Sequence, residues 1–362
     1  MKCIICNSEK SNERKCPICG FTSLNIQPGT PQEIIDKYNE EVARAKEKWQ
    51  ESHSVSSYDE NDNQKNKGIE NIDSKNNDRS YETKWTENSP GHLVYLVDLS
   101  ESMSMLGEKK EKDYTKYNMV MESIRECIRA ILAPCIQGNK ILPLFSLTII
   151  GYNSDVYTLF KGNADQVVKL LAETKRNNNR LFYDAINEKI REDAEPKWQT
   201  YMEDGLKAAK KDIEEWITQQ KMNPKVEAIP SPIVISITDG HPEEKERKYV
   251  DAANGALNAA KDIMENIDSP DGHVLLFNIH IDPAKNKEEI LFPVDEPLDR
   301  DMSLLYKMSS TIPTKFIKKS PFAIKTGCKG MISNAKDSTT VLRFIEFGST
   351  ITQANKESPK IV

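Results

Sequence analysis

The chain has 362 residues, 38% of them hydrophobic, with 50 basic against 56 acidic residues and a formal net charge of -6. That length sets an upper expectation of roughly two domains, and the mild acidity gives no support to a phosphate-backbone partner. The longest apolar run, Ile141–Ile150, falls short of the about 20 residues a membrane-spanning helix needs, and a mean hydropathy of -0.62 implies that part of the chain is solvated linker.

The N-terminus opens on cysteines rather than on an apolar signal region. Cys3 and Cys6 form one C-x-x-C knuckle and Cys16 and Cys19 a second, followed by Gly20. Two such pairs can supply four thiolates to one tetrahedral Zn²⁺. A segment this small buries no core, so the metal would supply most of its folding free energy. Residues 1–22 are therefore expected to be a structural zinc ribbon. Clustered cysteines of this kind read as metal chemistry in a reducing, cytoplasmic compartment rather than as a disulfide framework.

Thr30-Pro31-Gln32-Glu33 has the form of a capped helix start. Ile35, Tyr38, Val42, Ala45 and Trp49 then recur at spacings of three and four, which predicts an amphipathic helix over 30–51. Residues 52–90 are rich in Ser, Asn, Asp, Glu and Lys and predict a flexible polar linker.

From His92 onward apolar strands alternate with helical periodicity. Strands are predicted at 92–98, 143–151, 156–160, 231–238, 273–281 and 330–334. Helices are predicted at 115–133, 164–174, 181–192, 200–221, 247–266, 298–309 and 338–351. This pattern predicts an α/β domain over 91–354, built on a doubly wound, mainly parallel sheet. The short link Tyr152-Asn153-Ser154-Asp155 suits a hairpin, so one edge strand should be antiparallel. Ligands of such sheets bind at the carboxyl ends of strands.

Two apolar strands end in acids. HLVYLVDLSES, residues 92–102, places Ser100 and Ser102 at alternate positions after Asp98. SPIVISITDG, residues 231–240, ends in Asp239-Gly240. One carboxylate and two hydroxyls on a tight loop are hard oxygen donors, suited to Mg²⁺ or Mn²⁺ and unsuited to zinc or copper. Between these strands, Thr200 opens a helix with the pattern T-x-M-x-x-G-L-x-x-A.

On these residues the chain resembles the von Willebrand factor A (VWA) family over roughly residues 91–350. The resemblance implies a metal-ion-dependent adhesion site (MIDAS). Ser100 and Ser102 would ligate the metal, Asp98 and Asp239 would hold it partly through water, and Thr200 would join when a ligand binds. The open position would take a carboxylate oxygen from an Asp or Glu of a partner protein. A second form of the threonine loop, Leu181-Phe182-Tyr183-Asp184-Ala185-Ile186, would instead put Arg180 at the threonine position, where a guanidinium would displace the metal. The Gly-Leu-x-x-Ala continuation favours Thr200. Leu275–Ile281, Ile290–Pro293 and Lys307–Pro313 further resemble bacterial cytosolic VWA proteins of the tellurium-resistance-associated group. That likeness implies a signalling or stress-defence system with a Ser/Thr kinase and a protein phosphatase as partners.

No G-x-S-x-G, P-loop or H-E-x-x-H pattern occurs among the 362 residues, and the five histidines form no catalytic spacing. No catalytic residue is expected, and His241 is expected to bond locally. Cys127, Cys135 and Cys328 are expected to be packing residues. The alternatives are a nucleic-acid-binding adaptor built on the zinc ribbon, which the scarcity of basic and aromatic residues in 1–20 disfavours, and a metal-dependent hydrolase, which would need a base and usually a second metal.

Overall fold

The computed structural model describes residues 81–104, 115–176, 199–242, 247–282, 288–317, 320 and 322–350, together with Tyr38 and Val42–Arg44. The chain divides into two units, 1–78 and 79–362. In the first, Tyr38 and Val42–Arg44 are helical and Val42 is buried, inside the helix expected over 30–51. The expected zinc ribbon with Cys3, Cys6, Cys16 and Cys19, the linker up to residue 80, and Arg180 with the 181–192 helix lie outside the described residues.

The second unit is built on β1 (Gly91–Asp98), whose eight residues are all buried. An apolar run without alternation can be satisfied only by covering both faces of the strand. Parallel neighbours flank β1 on both edges: β2 (Phe145–Tyr152) and β4 (Ile233–Thr238). β3 (Val156–Asn163) pairs antiparallel with β2 and alternates between exposed and covered positions, as an edge strand does. On the far side β5 (Leu275–Ile281) and β7 (Met331–Ala335) continue in parallel, and a two-residue β6 (Ile290–Leu291) closes the second edge antiparallel to β7. The seven-strand order is β3-β2-β1-β4-β5-β7-β6. This is the doubly wound, mainly parallel sheet expected from the sequence. β6 is an addition that two residues of apolar character did not announce.

Helices cover both faces. Leu93, Tyr95 and Val97 point into one core with α1 (Lys116–Leu132) and α6 (Ser338–Thr350). Val94 and Leu96 point into the other, with α3 (Met202–Met222), α4 (Tyr249–Asn266) and α5 (Arg300–Lys307). A further helix, α2 (Ala164–Arg176), follows β3 and adds Ala164 and Val167 to the first core. In α3, Met202, Leu206, Ala209, Ile213, Trp216 and Ile217 form one buried stripe. Each such aliphatic or aromatic side chain contributes about 1.5–3 kcal/mol when fully buried. Cys127, Cys135 and Cys328 are buried in the first core. Among the described residues no helix is long and apolar enough to cross a membrane.

One boundary needs correction. Residues 81–90 carry the polar composition assigned to the linker, yet they lie against the domain. Asp271 holds them: its backbone oxygen accepts from Tyr81 N at 3.0 Å and its Oδ1 accepts from Glu82 N at 2.9 Å. Trp85 is buried against Phe145, and a Cβ at Gly91 would stand 1.9 Å from the indole. One aromatic anchor thus outweighs the average polarity of its neighbours, which a composition window cannot register.

Candidate metal centre

The crossover from β1 to β2 runs through α1 on one face, and the return to β4 runs through α3 on the other. The connections diverge between the carboxyl ends of β1 and β4, where such sheets open a crevice. Asp98 closes β1 there and Asp239 follows Thr238 at the end of β4.

The loop after β1 is folded by its own polar atoms. Leu99 N donates to Tyr152 O at 2.7 Å, and Ser100 N then donates to Asp98 Oδ1 at 2.8 Å. This Asp-centred turn leads into the single helical turn Glu101–Ser104, with Met103 N donating to Ser100 O. The result brings the Oγ atoms of Ser100 and Ser102 to 3.0 Å.

β4 reaches the same place from the neighbouring strand. Thr238 donates its hydroxyl to Asp98 Oδ2 at 2.6 Å and accepts from Gly240 N at 2.9 Å. Gly240 has φ +105, and a Cβ there would come within 2.8 Å of the His280 ring. The turn that carries Asp239 therefore requires glycine. His280 Nε2 lies 2.9 Å from the backbone oxygen of Asp239 and Lys116 Nζ lies 2.9 Å from its Oδ2.

Asp98 is fully buried. Burial, and secondarily the charge of Asp239, push its carboxyl up to about 6, against the opposing bonds from Thr238 and Ser100. Asp98 and Asp239 repel each other from adjacent strands, and Lys116 offsets the charge of Asp239. Tyr152 adds no third anion: burial first and the charge of Asp98 next hold its phenol well above the usual range.

Thr200 is buried at the start of α3. Its tie to the cluster runs through the adjoining turn: Tyr201 N donates to Asn153 O at 2.9 Å, next to Tyr152, the register partner of Asp98. Gly205 permits this approach, because a Cβ there would meet the Tyr152 ring at 2.8 Å. The structure thus brings Asp98, Ser100, Ser102 and Asp239 to one crevice and sets Thr200 on its α3 side. His241 lies 3.2 Å from Asp301 Oδ2 and its ring is tilted against that of Tyr249, the local role expected of it.

The donor set fits a hard divalent cation. Two oxygens 3.0 Å apart match neighbouring corners of a six-coordinate shell with metal–oxygen bonds of about 2.1 Å. Among the described residues no group of three or more His, Cys, Asp or Glu converges, as expected of a centre that draws on hydroxyls.

Two features escaped the sequence reading. Lys116 is the first residue of α1, after the N-cap Thr115, and so stands at the helix end that disfavours cations. That misplacement was the available signal. The other is a polar array at the opposite end of the sheet: His92 lies 2.8 Å from Ser146 Oγ and 2.9 Å from Asp212 Oδ2, and Lys161 holds Asp212 Oδ1 at 2.7 Å. A Ser, a His and an Asp in sequence suggest acyl-transfer chemistry, but the imidazole is 1% exposed and stacked on Trp216. Its geometry pins α3 to β1 and β2.

No protein-family model and no curated protein matches the chain. Among solved structures it is similar to proximal thread matrix protein 1 of the mussel byssus, at 13% identity over 75% of this chain and 50% of that one, with a TM-score of 0.39. It is also similar to BatB from Bacteroides thetaiotaomicron, at 12% identity over 73% of this chain and 100% of that one, TM-score 0.39. The mussel protein with a zinc-occupied MIDAS motif matches at 14% identity over 74% and 48%, TM-score 0.36. The chain thus spans about half the length of the mussel protein. At these identities and scores the likenesses assign no function.

Proposed function

We propose that the α/β unit is a metal-dependent protein-interaction module of the MIDAS type, which binds an acidic side chain of a partner protein and catalyses no reaction. The observation that carries this reading is the meeting of Asp98, Ser100 and Ser102 from β1 with Asp239 from β4 at the divergence point of the sheet. Ser100 and Ser102 supply neutral oxygens, Asp98 supplies the buried charge, and Thr238 fixes the orientation of that carboxylate. Asp239 and Thr200 complete the shell in this reading. A bound Mg²⁺ or Mn²⁺ would supply one electrophilic position for a carboxylate oxygen.

In the N-terminal unit, Cys3, Cys6, Cys16 and Cys19 hold a structural Zn²⁺ in this reading, supported by their spacing alone. The resemblance to cytoplasmic stress-defence proteins makes a kinase or phosphatase the first partner to try. The test is co-purification of partners with the whole chain in Mg²⁺ and in EDTA, using wild type and Asp98→Ala. Recovery that needs both Mg²⁺ and Asp98 supports the reading. Equal recovery by the variant, or recovery that depends on nucleic acid and survives EDTA, refutes it.

A further inference from the structure

We propose that Lys116 is a built-in counter-charge of the metal centre, lowering its affinity for the cation and raising its affinity for an anionic ligand. This inference rests on the metal-dependent reading above.

Three observations carry it. Lys116 Nζ sits 2.9 Å from Asp239 Oδ2, with side chains only 13% and 9% exposed, so the pair is held inside the crevice rather than on its rim. The lysine opens a helix where a cation is electrostatically unfavourable, so helix stability does not account for it. Lys116 and Asp239 also line a cavity of about 230 Å³ that continues past them to His280, Asn334, Asp282, Asp299 and Asp301. The last two acids are committed elsewhere: Asp299 caps α5 through Asp301 N and Met302 N, and Asp301 accepts from Tyr249 and faces His241. Among the described residues that line this cavity, Lys116 is the one lysine or arginine.

The charge count gives the consequence. Asp98 and Asp239 together neutralise a divalent ion completely, and a neutral centre has little pull on a carboxylate. With Lys116 held on Asp239 the loaded centre keeps one net positive charge. The same charge repels the incoming metal. A single residue thus moves two affinities in opposite directions, a pattern that a purely structural lysine would not produce.

The experiment titrates Mn²⁺ by electron paramagnetic resonance into wild type, Lys116→Gln, Lys116→Arg and Asp98→Ala. The Mn²⁺-loaded proteins are then titrated with N-acetyl-aspartate amide, read by water-proton relaxation. Even at the dielectric of water a unit charge a few ångströms away changes such constants several-fold, and the effect grows in an enclosed crevice. Lys116→Gln should bind Mn²⁺ about tenfold more tightly and the carboxylate about tenfold more weakly, while Lys116→Arg stays near wild type. Unchanged constants in Lys116→Gln, or both moving in the same direction, overturn the role of Lys116 and leave the metal centre standing. Mn²⁺ binding that is absent from wild type and Lys116→Gln alike, or equal in Asp98→Ala, overturns the centre and this inference with it.

Discussion

Replacing Asp98 with Asn should stabilise the metal-free protein while removing its response to metal. The folded carboxyl titrates near 6 against an ordinary value of 3.8, and each pH unit of difference is worth about 1.4 kcal/mol. Between those two pH values the folded state keeps a proton that the unfolded chain has released. Stability therefore falls as pH rises through the window, and above about 6 the full cost, about 3 kcal/mol, is present. Asn cannot ionise and escapes that cost. Its carbonyl can still accept from Ser100 N, but its amide must face the Thr238 hydroxyl, which now has to reorient, at a cost of about 1 kcal/mol.

The expected net gain near neutral pH in EDTA is about 1–2 kcal/mol. Urea unfolding reads it as a shift of midpoint at unchanged slope. Adding Mg²⁺ at a hundred times its dissociation constant should stabilise wild type by about 2.7 kcal/mol and leave Asp98→Asn where it was. A variant less stable than wild type in EDTA would show that Asp98 is a satisfied structural acid. Equal stabilisation of both proteins by Mg²⁺ would show that any metal binds elsewhere.

Asp212→Asn should cost about 2 kcal/mol at neutral pH. Burial pushes that carboxyl upward but is outweighed by His92 and Lys161, which hold it at about 2. The stabilisation is present above the ordinary value of 3.8 and is lost as pH falls through about 2, so wild type and variant should converge in acid unfolding curves. Trp85→Ala should cost about 3 kcal/mol in thermal or urea unfolding, a loss a flexible linker could not produce. Replacing Cys16 and Cys19 by Ser should release one equivalent of zinc, measured by a colorimetric chelator, without moving the unfolding midpoint of the 79–362 unit.

The sheet was legible because burial on both faces leaves a signature that survives without tertiary knowledge. β1, β2, β4 and β5 are mostly apolar and are buried at all but one position, and each fell within two residues of its expected bounds. Ser100 and Ser102 were legible for a related reason: their geometry is set by a turn spanning a few residues around Asp98. Legibility failed where the deciding contact is distant in sequence. Trp85 reads as an isolated aromatic in a polar tract until Asp271, far along the chain, fixes the segment beside it. Lys116 and Asp239 are separated by 123 positions, and the place of Lys116 at a helix start signals an unusual lysine without naming its partner. Only the strand order, which sets the carboxyl end of β4 beside that of β1, brings them together. The Lys116–Asp239 pair is therefore a product of topology, as is the approach of Asp239 to Asp98, whereas the Asp98–Ser100–Ser102 turn is local. A sequence that kept the Asp-x-Ser-x-Ser loop and exchanged Lys116 for a neutral residue would present the same motif with a different ligand preference.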